Sequence, residues 1–90
     1  MEITLEGTLS GIEVKEGKTD TFVYFNIGNG GVLKSLPCYA VFDKSRTHIT
    51  DYFKKLDLSK EYCIEGCICS DETTDFQVHC IYQKPEKIYA

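Results

Sequence analysis

Arginine is nearly missing from this sequence: Arg46 is the only one in 90 residues. Recognition of bases or phosphates by paired guanidinium forks is therefore not its main mode of binding. Positive charge is short in general, with 10 Lys and Arg against 14 Asp and Glu, a net charge of -4 and a pI near 5.0. That balance argues against a simple electrostatic hold on nucleic acid, because affinity for phosphates comes largely from cations that displace counterions. A basic stripe on an acidic protein remains compatible with it. No apolar run approaches the length of a membrane span, so no membrane partner is expected. The opening Met1-Glu2-Ile3-Thr4-Leu5-Glu6 has neither a basic patch nor a long apolar core. It reads as the native start of a strand and not as a signal peptide, which points to a cytoplasmic protein.

Catalytic signatures are also wanting. No glycine-rich phosphate loop precedes a helix, the carboxylates show no motif spacing, and neither His48 nor His79 has a Ser or Cys partner in its local sequence. A non-enzymatic protein without a cofactor is expected. The five cysteines, Cys38, Cys63, Cys67, Cys69 and Cys80, are an odd number for a disulfide framework and all fall in strand-like stretches. Cys67 and Cys69 form one C-x-C pair with Cys63 two pleats away and His79-Cys80 on the next strand. Structural zinc usually takes two short-spaced pairs on tight turns, so reduced thiols are expected and no metal.

What the chain does have is pattern. Ninety residues make one domain with one core, and no repeat, low-complexity stretch or linker interrupts it. The first strand runs from about Glu2 to Val14. Its apolar parity changes between Leu9 and Ile12 near Gly7 and Gly11, which predicts a bulge or sharp bend. Lys15 to Asp20 reads as a turn, with Gly17 free to take positive φ. In the second strand, Thr21 to Ile27, alternation puts Val23, Phe25 and Ile27 inward and Phe22, Tyr24 and Asn26 outward. Gly28-Asn29-Gly30-Gly31 predicts a hairpin into a third strand, Val32 to Phe42. There Lys34 argues that even positions face outward at the start, while Cys38 to Phe42 is apolar on both parities. Pro37 suits an edge or bulge.

Ile49, Tyr52, Phe53 and Leu56 follow i, i+3, i+4, i+7 spacing, which predicts a short amphipathic helix over Ser45 to Leu56. Ser45 is its expected N-cap, and Lys54 and Lys55 suit the negative end of its dipole. The fourth strand, Lys60 to Ser70, is read with Tyr62, Ile64, Gly66 and Ile68 inward and Cys63, Cys67 and Cys69 outward. Asp71 to Asp75 is an acidic turn. The fifth strand, Phe76 to Gln83, is read with Phe76, Val78, Cys80 and Tyr82 on one face and Gln77, His79 and Ile81 on the other. Three strands, a helix and two strands is the layout of an all-β, five-stranded Greek-key barrel of the oligonucleotide/oligosaccharide-binding (OB) fold. Residues 1–84 form this barrel and 85–90 a short polar tail. Phe53 would plug the barrel's open end.

Three segments carry a family resemblance: Leu36-Pro37-Cys38-Tyr39-Ala40-Val41-Phe42, the helix, and Leu58-Ser59-Lys60-Glu61-Tyr62-Cys63-Ile64-Glu65-Gly66. In them the chain resembles the OB-fold single-stranded-DNA-binding proteins, in which an apolar third strand ending in Phe precedes the helix and an apolar-x-apolar-Glu-Gly strand follows. Family members commonly show Trp or Arg where Leu36 and Cys38 stand, and they carry a long acidic tail that is almost absent here. The likeness is closer to a minimal phage or plasmid member. The resemblance implies single-stranded DNA, or RNA, as partner.

In this fold the faces of strands two and three are the usual ligand platform. Phe22, Tyr24 and Tyr39 are the candidate stacking rings, set against the alternative that they pack under a loop or a partner. Lys15, Lys18 and Lys34, with Lys84 and Lys87, are the candidate cations; Asp71, Glu72 and Asp75 oppose a phosphate backbone. A second reading is an acidic protein-interaction module of a mobile element, an inhibitor that docks on a basic surface of a host defence or replication protein. A third is homo-oligomer assembly through sheet edges.

Overall fold

The structure is a computed structural model that describes residues 2–68 and 76–85. The element order is β1 (Ile3–Glu16), β2 (Asp20–Gly28), β3 (Leu36–Asp43), α1 (Thr47–Lys54), β4 (Tyr62–Ile68) and β5 (Phe76–Gln83). The strands close into a barrel in the order β1-β2-β3-β5-β4. This is the five-stranded OB-type barrel with one helix that the order of elements predicts. Neighbours pair antiparallel except β3 and β5, which run parallel through only Cys38↔Phe76 and Tyr39↔Gln77.

One strand serves two neighbours. β1 pairs with β4 from Ile3 to Gly7 and with β2 from Thr8 to Glu16. Its register against β2 slips by one residue between Ser10 and Glu13, at Gly11, whose φ is +61°. A side chain would resist that backbone conformation, and glycine permits it. The slip turns Ile12 and Val14 to the side that Leu9 faces, as the change of parity in the sequence predicts. Positive φ occurs at Gly11 and Gly30 but not at Gly17, where the expectation fails: Gly17 N–H donates to the Asp20 carbonyl at 2.8 Å in an ordinary tight turn. In the β2–β3 connection the Asn29 side chain accepts from the Gly31 and Leu33 amides at 2.8 and 3.2 Å.

Val23, Phe25 and Ile27 are fully buried, and the register opposes Val23 to Ala40 and Phe25 to Cys38. The even positions of β3 therefore face inward, and the outward assignment from Lys34 is overturned. Lys34 precedes the strand and carries no information on its faces. In β4, Tyr62, Ile64 and Gly66 are buried as expected, the Tyr62 hydroxyl donating to the Asp57 carbonyl at 3.3 Å. Cys63 is buried too, contrary to its outward parity. It lies in register between two longer side chains, Glu6 and Tyr82, while Lys84 pairs with Glu6 at 2.8 Å and Glu61 at 3.4 Å above that stretch.

β5 departs from its expected faces after Val78. Glu65 opposes Cys80 but Gly66 opposes Val78, so His79 is an extra residue on β5. One inserted residue exchanges the faces. Ile81 packs against the core, and Cys80 and Tyr82 are exposed, the reverse of the expected arrangement.

The helix is shorter than the apolar spacing suggests, and Ser45 does not cap it. Arg46 occupies the N-cap with no side-chain cap, while the Asp43 carboxylate takes the Ser45 amide at 2.9 Å. That contact holds Asp43 below the usual carboxylate range. Phe53 is buried with its ring centroid 6.1 Å from that of Phe25, so the barrel plug is in place. Tyr52, on the expected apolar face, is 39% exposed and touches Phe53 edge-on. Among the described residues no helix is long and apolar enough to cross a membrane.

Candidate functional site

Because alternate side chains of a strand leave opposite faces, burying Val23 and Phe25 sends Phe22 and Tyr24 outward. Register then assembles a patch across three strands. Tyr24 lies directly opposite Tyr39, and Phe22 opposite Val41; on the other side Tyr24 opposes Glu13 and Phe22 opposes Lys15. Tyr24 and Val41 are 38% and 42% exposed, and Phe22 and Tyr39 are half-buried. The rings expected to form a platform do share one outer face.

The candidate lysines are not all brought together. Lys15 stands over Tyr24, its Nζ 5.5 Å from the ring centroid and 3.6 Å from Glu13. Lys18 is exposed in the β1–β2 turn beside it. Lys34 sits in the β2–β3 connection, where a Cβ on Gly28 would meet its carbonyl. That is the far end of β2 from Lys18, about 26 Å away at the rise of an extended strand. Lys84 is tied to Glu6 and Glu61, and its pKa is raised, chiefly by the hydrogen bond to Glu6. The convergence of lysines on one groove is thus corrected to Lys15 and Lys18.

A third cation at that end escaped the sequence reading. Lys44 Nζ donates to the Gly17 carbonyl at 3.0 Å, and its amide to the Thr19 carbonyl at 3.1 Å, so it fastens β3 to the β1–β2 turn. Its only sequence signal is its place just after the third strand. Carboxylates share the neighbourhood: Asp20 and Asp43 are opposite each other at the end of the β2–β3 ladder, and Glu13 flanks Lys15. With exposed Glu16 at the end of β1, three lysines stand among four acids, so stacking and not net charge would have to provide any hold on a ligand. The acidic segment Asp71, Glu72 and Asp75, together with Cys69 and Lys87, lies outside the described residues.

Among the described residues Cys38, Cys63, Cys67 and Cys80 form no disulfide. Cys67 Sγ is 3.6 Å from His79 Nε2. Among the described residues no group of three or more His, Cys, Asp or Glu is placed to hold a metal ion.

No protein-family model matches the chain. No curated protein matches it either. Its fold is similar to part of a solved structure of RecG bound to a three-way DNA junction, at a TM-score of 0.64 and 20% identity. The likeness covers 96% of this chain but only 11% of that one, and at this identity it concerns the fold.

Proposed function

We propose that this protein is a non-enzymatic binder of single-stranded nucleic acid, single-stranded DNA in the first place, that works through the outer face of β1, β2 and β3. The observation that carries the reading is the cross-strand pair of exposed Tyr24 and half-buried Tyr39, extended by Phe22–Val41. Bases stack on such rings without sequence preference, each worth about 1–3 kcal/mol. Lys15 and Lys18 border the rings, and Lys34 meets only a strand long enough to reach the far end of β2. The RecG structure, a protein on a DNA junction, supports nucleic acid as the class of ligand. Titration of labelled oligo-dT at low salt, followed by fluorescence anisotropy, tests the reading. A rise that saturates supports it, and no binding at tens of micromolar (roughly the range of weak non-specific contacts) removes it.

A second reading draws on Glu13, Asp20 and Asp43, the carboxylates around the same rings. An acidic, aromatic face suits a basic protein surface by charge complementarity, as in an inhibitor encoded by a mobile element. A stoichiometric partner that survives nuclease treatment in a pull-down would favour it over the first.

A further inference from the structure

The parallel ladder between β3 and β5 ends at Tyr39↔Gln77, yet β3 continues to Asp43 and β5 to Gln83. Where the strands part, a cleft of about 510 Å³ opens between them, with α1 along one side. This is within the size range of small-molecule sites, roughly 300–1,000 Å³. Ile49, Phe53 and Ile81 supply an apolar bed, with Tyr52 beside them.

The polar part of the lining is selective. The chain has one arginine and two histidines, and all three, Arg46, His48 and His79, line this cleft. The chain has 14 acidic residues, yet none of the described residues that line it is Asp or Glu. Arg46 and His48 come together from the start of α1, and His79 comes from the bulge of β5.

We propose that the cleft takes a nucleoside 5′-phosphate, with its base on the apolar bed beside Tyr52 and its phosphate at Arg46 and His48; His79, whose Nε2 lies 3.6 Å from Cys67 Sγ, only borders the cleft. A planar guanidinium matches phosphate oxygens two at a time. A terminal phosphate monoester carries about −1.5 to −2 charges near neutral pH, against one for an internal diester. A guanidinium and an imidazole, with no carboxylate among the described residues of the lining, therefore favour the monoester. The same chemistry is offered by a free nucleotide and by the phosphorylated 5′ end of a strand. In the second form the inference rests on the nucleic-acid reading above; in the first it stands apart from it.

The test is a set of amide NMR titrations of the intact protein with thymidine 5′-monophosphate, thymidine, and dT oligomers bearing a 5′-phosphate or a 5′-hydroxyl. Thymidine 5′-monophosphate is expected to shift Arg46, His48, Tyr52 and Ile81, and to bind about tenfold or more tightly than thymidine, the scale of hydrogen bonds to a charged group. Arg46→Gln and, separately, His48→Gln should each weaken it; both positions are exposed, so the fold survives the change. A 5′-phosphate that strengthens oligomer binding assigns the strand end as the source, and equal oligomers with a binding mononucleotide assign the free nucleotide. Equal affinity for nucleotide and nucleoside, or shifts confined to the Tyr24–Tyr39 face, would overturn the proposal. If the 5′-hydroxyl oligomer binds nowhere while the mononucleotide still shifts the cleft, the platform reading falls and this one stands.

Discussion

Lys15 and Tyr24 form a cation–π pair, the ammonium 5.5 Å from the ring centroid. A base that stacks on Tyr24 has to move that ammonium aside, which releases it toward the phosphate next to the base. The pair covers the ring in the free protein, and on the proposed reading it would supply a charge in the complex.

Substitution should separate those two roles. Tyr24→Ala should weaken oligo-dT by about 1–3 kcal/mol at every salt concentration. Lys15→Ala should lower the slope of log K against log salt by about 0.7, the share of one phosphate contact on a single strand. It should cost little affinity at high salt, because the ring face is then bare. Anisotropy titrations at four salt concentrations check both.

Lys34 and Lys18 give a test of direction along the platform. They lie at opposite ends of β2, so an oligomer of a few nucleotides reaches one set of cations and not the other. Lys18→Ala should weaken a short oligo-dT more than Lys34→Ala does, and the two effects should converge as the oligomer lengthens. A larger effect of Lys34→Ala on short oligomers would place the binding path elsewhere.

Phe53 closes the barrel against Phe25, and its removal should leave a cavity at the barrel's end. Phe53→Ala should cost about 3–5 kcal/mol, read as a fall in the midpoint of urea unfolding. Gly66→Ala should be destabilising for a different reason. Its Cβ would run into the backbone carbonyl of Gln77 across the β4–β5 bulge, which has no freedom to yield. A cost of at least about 1–3 kcal/mol is expected. Gly31→Ala, whose Cβ would meet only Asn29 Oδ1 at an ordinary 3.4 Å, should change little.

Asp57 offers a check on acid behaviour. Its carboxylate accepts from the Ser59 hydroxyl at 2.6 Å and the Ser59 amide at 3.0 Å, which hold its pKa below the ordinary 3.8. A depressed carboxylate contributes stability that is present above 3.8 and is lost as pH falls through its lower folded value. Ser59→Ala removes the hydroxyl donor and keeps the amide, so the Asp57 pKa should rise toward 3.8, observed by carboxyl-carbon NMR titration.

The inward face of β2 was legible because the strand has one buried side, and Val23, Phe25 and Ile27 alternate without interruption. The bend in β1 was legible because Gly11 stands where the apolar parity changes. The bulge in β5 left no such mark: His79 is not a glycine, and Phe76, Val78, Cys80 and Tyr82 keep an unbroken alternation that the backbone does not follow. Of the rings, Phe22 and Tyr24 could be read from alternation, but Tyr39 could not, because Cys38 to Phe42 is apolar on both parities. Lys15 and Lys18 were legible beside them, but the positions of Lys44 and Lys34 were not, since both are set by the turns that β2 joins. The cleft was invisible for a similar reason, because it exists only where β3 and β5 part and α1 lies along one side.

The way the ring closes also constrains how it is made. The first strand meets the fourth, and the third meets the fifth, so both closures join distant parts of the chain. During synthesis the early hairpin can form on the ribosome, but the circle stays open until the last strand has left the exit tunnel. A topology so dominated by long-range pairing folds in roughly milliseconds to seconds. For that interval the hydrophobic underside of the hairpin, Val23, Phe25 and Ile27, lacks its cover.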